Sequence, residues 1–389
     1  MILTNKQEEG LKIGLERYKN KEKYVTIAGY AGTGKSTLVK FLISALDIDK
    51  EKVAYATFTG KAAEVLRRKG NDEACTLHKL LYDHVPEITG GFIRKPKTSL
   101  NYKVVVVDEV SMVPKSIIEL LIKHNVFIIF LGDPFQLSVL DKNESHNILD
   151  KPHVFLDEIM RQAEESEIIR MTMKIRAGEE IECFNGTEAI VIPKNELVIG
   201  HLTWADQIIT ATNAARNSVN KQMREVLGYS GNPQDGEKMI CLRNYWDDYG
   251  KNGASLVNGM TGIVKNSFES FIRIPYAINT PKRKIETIDC VFESDDDIFT
   301  SVSMDKHMIE TGEYSLDWKT AYQMNKMRRP TPKEFAYGYA ITCHKAQGSE
   351  WDKVLVLEEN FPFDKQEHAK WLYTACTRAV NKLVLRKGK

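Results

Sequence analysis

The 389-residue chain has no long apolar run. Its longest, such as Val104 to Val107 and Val126 to Leu131, fall far short of the roughly 20 residues that a membrane-spanning helix needs. The first residues, MILTNKQEEG, hold neither an apolar stretch nor a cleavage site, which argues against a signal peptide. Cysteine is scarce: the six residues at 75, 183, 241, 290, 343 and 376 form no CxxC pair, which argues against a zinc site or disulfide framework and suits a reducing cytoplasm, or a host cytoplasm if the gene is a phage's. An excess of charge is also missing. Lys and Arg number 54 against 53 Asp and Glu, a net charge of +1, so any nucleic-acid surface must be a local groove offset by acidic faces elsewhere. No repeat or low-complexity tract stands out, and the length suits two or three modest domains.

What is present is alternation. Apolar segments at 24–28, 53–58, 104–110 and 126–133 read as buried strands, with helical patterns at 36–46, 61–68 and 115–122 between them. Strands apolar at nearly every position are expected where helices cover both faces of a parallel sheet, which predicts a doubly wound α/β domain. Segment 84–100 carries Gly90-Gly91 between β-prone runs and reads as an inserted hairpin. A second α/β region begins near Phe155, with a strand at 206–212 and a helix at 214–227. From about Gly236 to Arg329 the alternation becomes that of a small β-barrel, and the helix-strand pattern resumes near Lys333. Two halves of similar character fit a duplicated fold.

Three chemical signals sit on the first half. Gly29-Tyr-Ala-Gly-Thr-Gly34-Lys35-Ser36 is a complete GxxxxGK[ST] loop between a strand and a helix. Its glycines let backbone N–H groups face phosphates, Lys35 reaches the β and γ phosphates, and Ser36 offers a hydroxyl to Mg²⁺. Asp108-Glu109 ends the valine strand, where Asp108 can hold the Mg²⁺ shell and Glu109 can polarise a water, although such a pair also fits an ordinary strand-end turn. Gln136 follows the next strand and can bond the γ-phosphate or the attacking water. Arg161 and Arg378 carry the planar cation suited to transition-state phosphate charge, but position alone does not single them out.

Taken in order, the blocks resemble superfamily 1 helicases of the RecD-like and phage Dda-like group, branch 1B. TFTGKAA (57–63), TLHKLL (76–81), VVVDEVSM, LGDPFQL, LDEIMRQ (156–162), ITATNAARNSVN (209–220), YAITCHKAQGSEWD (339–352) and YTACTRA (373–379) carry the likeness over nearly the whole chain. The resemblance implies two RecA-like P-loop domains with ATP between them, a β-hairpin in the first and an SH3-like β-barrel in the second. The expected divisions are 1–154, 155–235 with 333–389, and 236–332.

It further implies an ATP- and Mg²⁺-dependent 5′-to-3′ DNA helicase, a monomeric motor on single-stranded and forked DNA, with no membrane. Single-strand-binding or replication proteins are candidate partners in replication, recombination or repair. Two rival readings stay open: a translocase that displaces bound proteins, and a DNA-dependent ATPase switch. The resemblance carries over Gln7 to adenine and Gly32, Thr33, Gly34, Thr37 and Glu350 to ATP, and it makes Arg161 and Arg378 arginine fingers. Its DNA track is Thr59, Lys61, Thr76, His78, Asn213, Thr342, His344 and Lys345. Phe58 and Phe92 suit either base stacking or core packing, and His344 either a DNA role or a structural one. Phe58 stands where the group has proline, Ser138-Val139 replaces a double proline, and Met160 replaces an aromatic.

Overall fold

Valines in unbroken series need apolar cover above and below, and the computed structural model places helices on both sides of them. It describes residues 3–86, 92–139, 141–146, 148–160, 165–281, 283–294, 297–362 and 364–388. Strands β1 (Tyr24–Gly29), β2 (Val53–Thr57) and β3 (Cys75–Thr76) lead into a hairpin, β4 (Tyr82–Pro86) and β5 (Phe92–Pro96). The hairpin lies two to four residues earlier than expected and Gly90-Gly91 fall outside the described residues. Then come β6 (Val104–Val107), β7 (Phe127–Gly132) and β8 (Val154–Leu156). Together they form a six-stranded sheet in the order β3-β2-β6-β7-β1-β8, with every pairing parallel. Val104 and Val106 pack with Leu38 and Leu42 on one face, while Val105 and Val107 pack with Leu77, Leu81 and Ile118 on the other. That is the period-2 alternation of a strand used on both sides.

A second six-stranded sheet follows. Strands β9 (Phe184–Asn185), β10 (Ala189–Ile192) and β11 (Gln207–Thr210) precede the antiparallel region. That region comprises β12 (Lys238–Cys241), β13 (Tyr245–Tyr249), β14 (Ser255–Leu256), β15 (Thr261–Arg273), β16 (Lys284–Ser294), β17 (Ile298–Asp305) and β18 (Phe335–Tyr337). The sheet is completed by β19 (Ala340–Thr342), β20 (Trp351–Leu357) and β21 (Ala379–Arg386), in the order β19-β11-β20-β21-β10-β9. When the five core parallel strands of each sheet are numbered by chain position, both sheets read 3-2-4-5-1. The chain contains one α/β fold twice.

Two expected divisions shift. The first fell at 154, inside β8, which pairs with β1 through Ile27↔Val154 to Gly29↔Leu156 and so extends the first unit to Leu156. The other resumed the second unit at 333, yet β18 pairs with β12 and belongs to the antiparallel sheet. Both were missed because three-residue strands leave almost no periodicity to read. The antiparallel sheet runs β17-β16-β15-β12-β18, and Lys333, just before β18, bridges Met304 of β17. Its backbone exchanges hydrogen bonds with Ser303 and Asp305 at 2.7 and 2.8 Å, which brings the two edges together. Phe292, Phe299 and Phe335 fill the interior. No helix among the described residues is long and apolar enough to cross a membrane.

Candidate nucleotide-hydrolysis site

The order 3-2-4-5-1 sets β6, β7 and β1 side by side, so the three loops that carry chemistry open at one edge of the first sheet. In the phosphate loop Gly32 and Gly34 have φ of 79° and 76°, a region that penalises any side chain. The helix Lys35–Ala45 starts without a side-chain cap, so its first N–H groups remain for an anion. Lys35 Nζ folds back to the carbonyls of Gly29 and Tyr30 at 2.7 and 2.9 Å, within the loop it would leave to reach a phosphate. Ser36 is exposed and Thr37 half-buried in the first turn of that helix.

Gln7 is buried against this loop. Its Oε1 accepts from the Thr4 N–H in a capping box, and its Nε2 donates to Thr33 O and Gly34 O at 3.4 and 3.3 Å. Met160 N–H donates to Gly32 O at 3.0 Å. The segment ahead of Arg161 is thus seated on the loop, and Arg161 itself lies outside the described residues.

At the end of β6, Asp108 is half-buried and its Oδ1 accepts from the Glu109 N–H at 2.8 Å. Burial, and then the Glu109 carboxylate beside it, push the Asp108 carboxyl up to about 6. Glu109 sits at φ 53°, a strained setting for a non-glycine residue that turns the chain sharply after the strand. The Gln136 amide lies between an acceptor and a donor, which orients it: its nitrogen donates to Glu109 Oε2 at 3.0 Å, and its oxygen accepts from Arg378 Nη2 at 3.2 Å. Arg378 is buried and also donates to Thr374 O, Ser349 O and Thr377 Oγ1. It lies just past the end of the helix Lys365–Cys376, which stops at the Thr377 cap. A carboxylate of the first sheet is therefore joined to an arginine of the second through one amide.

Other bonds cross the same junction, from residues whose motifs were legible but whose roles were not. Tyr373 donates its hydroxyl to Asp133 Oδ2 at 2.5 Å and accepts from the N–H of Ala31, inside the phosphate loop, at 3.0 Å. Burial raises the carboxyl of Asp133 above its ordinary range, against the pull of Lys35 and of Tyr373. Thr374 accepts from the Leu137 N–H, and Gln347 donates to the Leu137 carbonyl. Arg176 lies 3.5 Å above the ring of Tyr30. Glu350, expected near ATP, pairs with Lys69 at 2.9 Å across the junction.

The expected DNA track is more varied. Thr59 and Thr76 cap helices by accepting from Ala62 N–H and Lys79 N–H. Lys61 is 5% exposed with Glu64 3.6 Å away, and Thr76 is 3% exposed, so neither is presented to a groove in this arrangement. Phe58 is half-buried against the first core, with the rings of His78 and Tyr82 following at 5.6 and 6.0 Å. Asn213 is exposed and Thr342 half-buried. Burial lowers the pKa of His344 and that of Lys345, whose Nζ donates to Asn258 Oδ1 at 2.8 Å. Phe92 is placed on β5, but its side chain is outside what the structure describes.

This is a P-loop nucleotide site set between two copies of a RecA-like α/β fold. Residues 6–190 match the AAA domain and residues 337–386 the UvrD-like helicase C-terminal domain. The ATP-dependent RecD2 DNA helicase of Deinococcus radiodurans is 25% identical over 364 residues, 91% of this chain and 46% of that protein. The ATP-dependent DNA helicase dda of Enterobacteria phage T4 is 30% identical over 150 residues, 37% of this chain and 34% of that one. The chain spans less than half the length of either relative. The solved Pif1 helicase from Bacteroides in complex with ADP-AlF3 and ssDNA shares the fold over 100% of this chain and 93% of its own, with a TM-score of 0.53 and 19% identity. The chain thus joins a match to the AAA domain with a match to the UvrD-like helicase C-terminal domain.

Proposed function

We propose that this protein is an ATP-driven 5′-to-3′ DNA helicase that moves along single-stranded DNA and opens forked duplex. The observation that carries the reading is the chain Glu109–Gln136–Arg378. Glu109 polarises the attacking water, Gln136 reports its position, and Arg378 comes from the opposite sheet to meet the charge of the transition state. Such a site is complete only when the two sheets close on each other, so each turnover is coupled to relative movement of the two halves. Arg161, which follows the loop-seated Met160, is the first arginine finger and Arg378 the second.

Mg²⁺ fits the donors present. Ser36 Oγ and a carboxylate oxygen of Asp108 are hard ligands, and a magnesium site commonly uses one or two of these with phosphate and water completing it. There it would neutralise charge on the β and γ phosphates. Gln7 serves as the adenine reader, and Gly32, Thr33, Gly34, Ser36 and Thr37 line the phosphates. The units are 1–156, 157–237 with 338–389, and 238–337. The hairpin β4–β5 is read as the strand-separating wedge and the closing antiparallel sheet as a barrel of SH3 type. Phe58, His78, Asn213, Thr342, His344 and Lys345 are the candidate DNA contacts, joined by Thr59, Lys61 and Thr76 on opening.

Unwinding of duplexes with a 5′ or a 3′ tail tests the reading. Opening of the 5′-tailed substrate alone, with ATPase that rises with single-strand length, is expected. Turnover independent of strand length would make the protein a switch rather than a motor.

A further inference from the structure

The antiparallel region carries a feature that the motor does not use. The outer halves of β15 and β16 and the helix Trp318–Lys326 form a cap with its own small core of Ile272, Ile274, Ile278, Ile285, Leu316 and Met324. The helix turns Thr320 and Met324 inward. At 100° per residue, Trp318, Tyr322, Lys326 and Lys319 then share the opposite, outward face. Trp318 is 74% exposed and Tyr322 53%, and Tyr276, in the turn after β15, is 88% exposed. Leaving three large rings in water forgoes the burial that normally draws them inward. A single exposed ring is ordinary, but two on one helix face and a third on the same small cap are not.

Each ring has a cation beside it or on its own helix face. Lys319 Nζ lies 5.7 Å from the Trp318 ring centroid and the Arg283 guanidinium 5.1 Å from that of Tyr276. Lys284, Lys326, Arg328 and Arg329 are exposed on the same two segments. Among the described residues, none of these six cations has a carboxylate within 4 Å. The nearby acids are largely engaged: Asp317 caps the helix through Lys319 and Thr320, and Glu286 faces Lys306 at 3.7 Å. In a chain whose net charge is only +1, so many cations without an acidic partner on one cap mark a local field, although Arg283 also donates to Ile278 O.

We infer that this cap is a second binding surface for single-stranded nucleic acid, separate from the nucleotide-gated track between the two parallel sheets. The occupant follows from the chemistry. A polyanion satisfies the cations, and every base offers a π-face to Trp318, Tyr322 and Tyr276, so the grip needs no sequence. An acidic protein partner would satisfy the charge but has no comparable use for three exposed rings.

The test uses the full chain with oligothymidylates of two lengths, one just filling the track and one long enough to reach the cap. Trp318→Ala with Tyr322→Ala should weaken binding of the long strand by roughly tenfold or more, given typical losses per stacked base. Binding of the short strand and ATPase at saturating DNA should not change. Lys319→Glu with Lys326→Glu should flatten the salt dependence of long-strand affinity by about 1.4 in log–log slope, two phosphates at about 0.7 each. These side chains lie on an outward face, and an unchanged melting temperature confirms that both variants fold. Wild-type affinity and slope for the long strand in both variants would overturn the inference. A wild type that binds long strands through the cap yet fails to unwind would overturn the helicase reading instead and leave this surface standing.

Discussion

Both parallel sheets end their fourth core strand in an acidic pair, and the two pairs have opposite fates. After β6 stand Asp108 and Glu109, and after β20 stand Glu358 and Glu359. Glu359 accepts from Ala211 N–H, Thr212 N–H and the Thr212 hydroxyl at 2.6, 2.8 and 2.9 Å, bracing the loop after β11. Burial alone would raise Glu358, but His368 at 3.0 Å and the Gly388 N–H outweigh it and hold the carboxyl low. In the first sheet burial wins, and Asp108 is held high beside a second carboxylate. One pair is spent on structure. The other is kept under-satisfied, the state that a metal and a water would relieve. The strand that opens each sheet differs in the same way. β1 runs into a glycine loop, while β10 runs into Pro193 and a short 3₁₀ turn at Lys194–Glu196 that makes no cradle. A duplicated fold has become asymmetric, with one copy carrying the glycine loop and the other sending Tyr373 and Arg378 across to Ala31, Asp133 and Gln136.

The sharpest way to break this comparison is to swap the roles of the acids. Lys35→Ala should abolish hydrolysis with single-strand binding intact, and Glu109→Gln should lower kcat by about 10³-fold or more, on the scale of losing a water-positioning group. Glu359→Ala should leave turnover in place and instead cost about 1–3 kcal/mol of stability, because partly buried N–H groups lose a charged acceptor. Parallel ATPase and denaturant-melting measurements decide. Loss of turnover in Glu359→Ala with unchanged stability would erase the distinction.

Next in size is Arg378→Ala, expected to lower kcat by about 10³-fold while nucleotide affinity changes far less. Lys at that position should not rescue, since a point charge cannot reach Gln136, Ser349 and Thr374 together. A fall in affinity alone, read by nucleotide titration, would make Arg378 a binding residue.

Tyr373→Phe removes one hydroxyl that serves the phosphate loop and Asp133 at once. A stability loss of about 1–3 kcal/mol is expected from leaving Asp133 Oδ2 without its donor, while Oδ1 keeps the Phe135 N–H. Hydrolysis should also become less dependent on DNA, because a bond that links the two halves is gone. Unchanged melting and unchanged DNA stimulation would show that the bridge is idle.

The smallest effects are pH effects, and their signs differ between the pairs. Asp108 titrates near 6, above its ordinary value, so below that pH it is neutral and a poor metal ligand. Mg²⁺-dependent nucleotide binding should weaken as pH falls through about 6, and excess Mg²⁺ should move that limb lower. His368 is raised and Glu358 lowered. The stability from His368 is full below the ordinary histidine pKa and is lost as pH rises through its raised value. That from Glu358 is present above the ordinary glutamate pKa and is lost as pH falls through its lowered value. His368→Gln should flatten the alkaline side of a stability–pH profile. An unaltered profile would mean that the pair contributes nothing.

The β6 valines, the glycine loop and the helix after it were legible in the sequence because each rests on local physics: a period, a turn preference, an orphan helix end. The resemblance of the later blocks carried Arg378, which composition and spacing could not. Short strands were not legible. β8 and β18 span three residues each and take their place from partners 127 and about 95 residues away, such as Ile27↔Val154 and Cys241↔Phe335. The bond from Tyr373 to Ala31 spans 342 residues and leaves no mark on either neighbourhood.

By itself the sequence determined that strands covered on both faces alternate with helices, that one loop is built for phosphates, and that an acidic pair ends the valine strand. Only the tertiary structure decided which acids are free to react. A carboxylate's state depends on how many donors reach it and how much water remains, and those donors come from chain segments that only folding brings together. The same reason explains Phe58, whose residue type suits a base or a core equally. Its half-buried place beside His78 was settled by the packing around it.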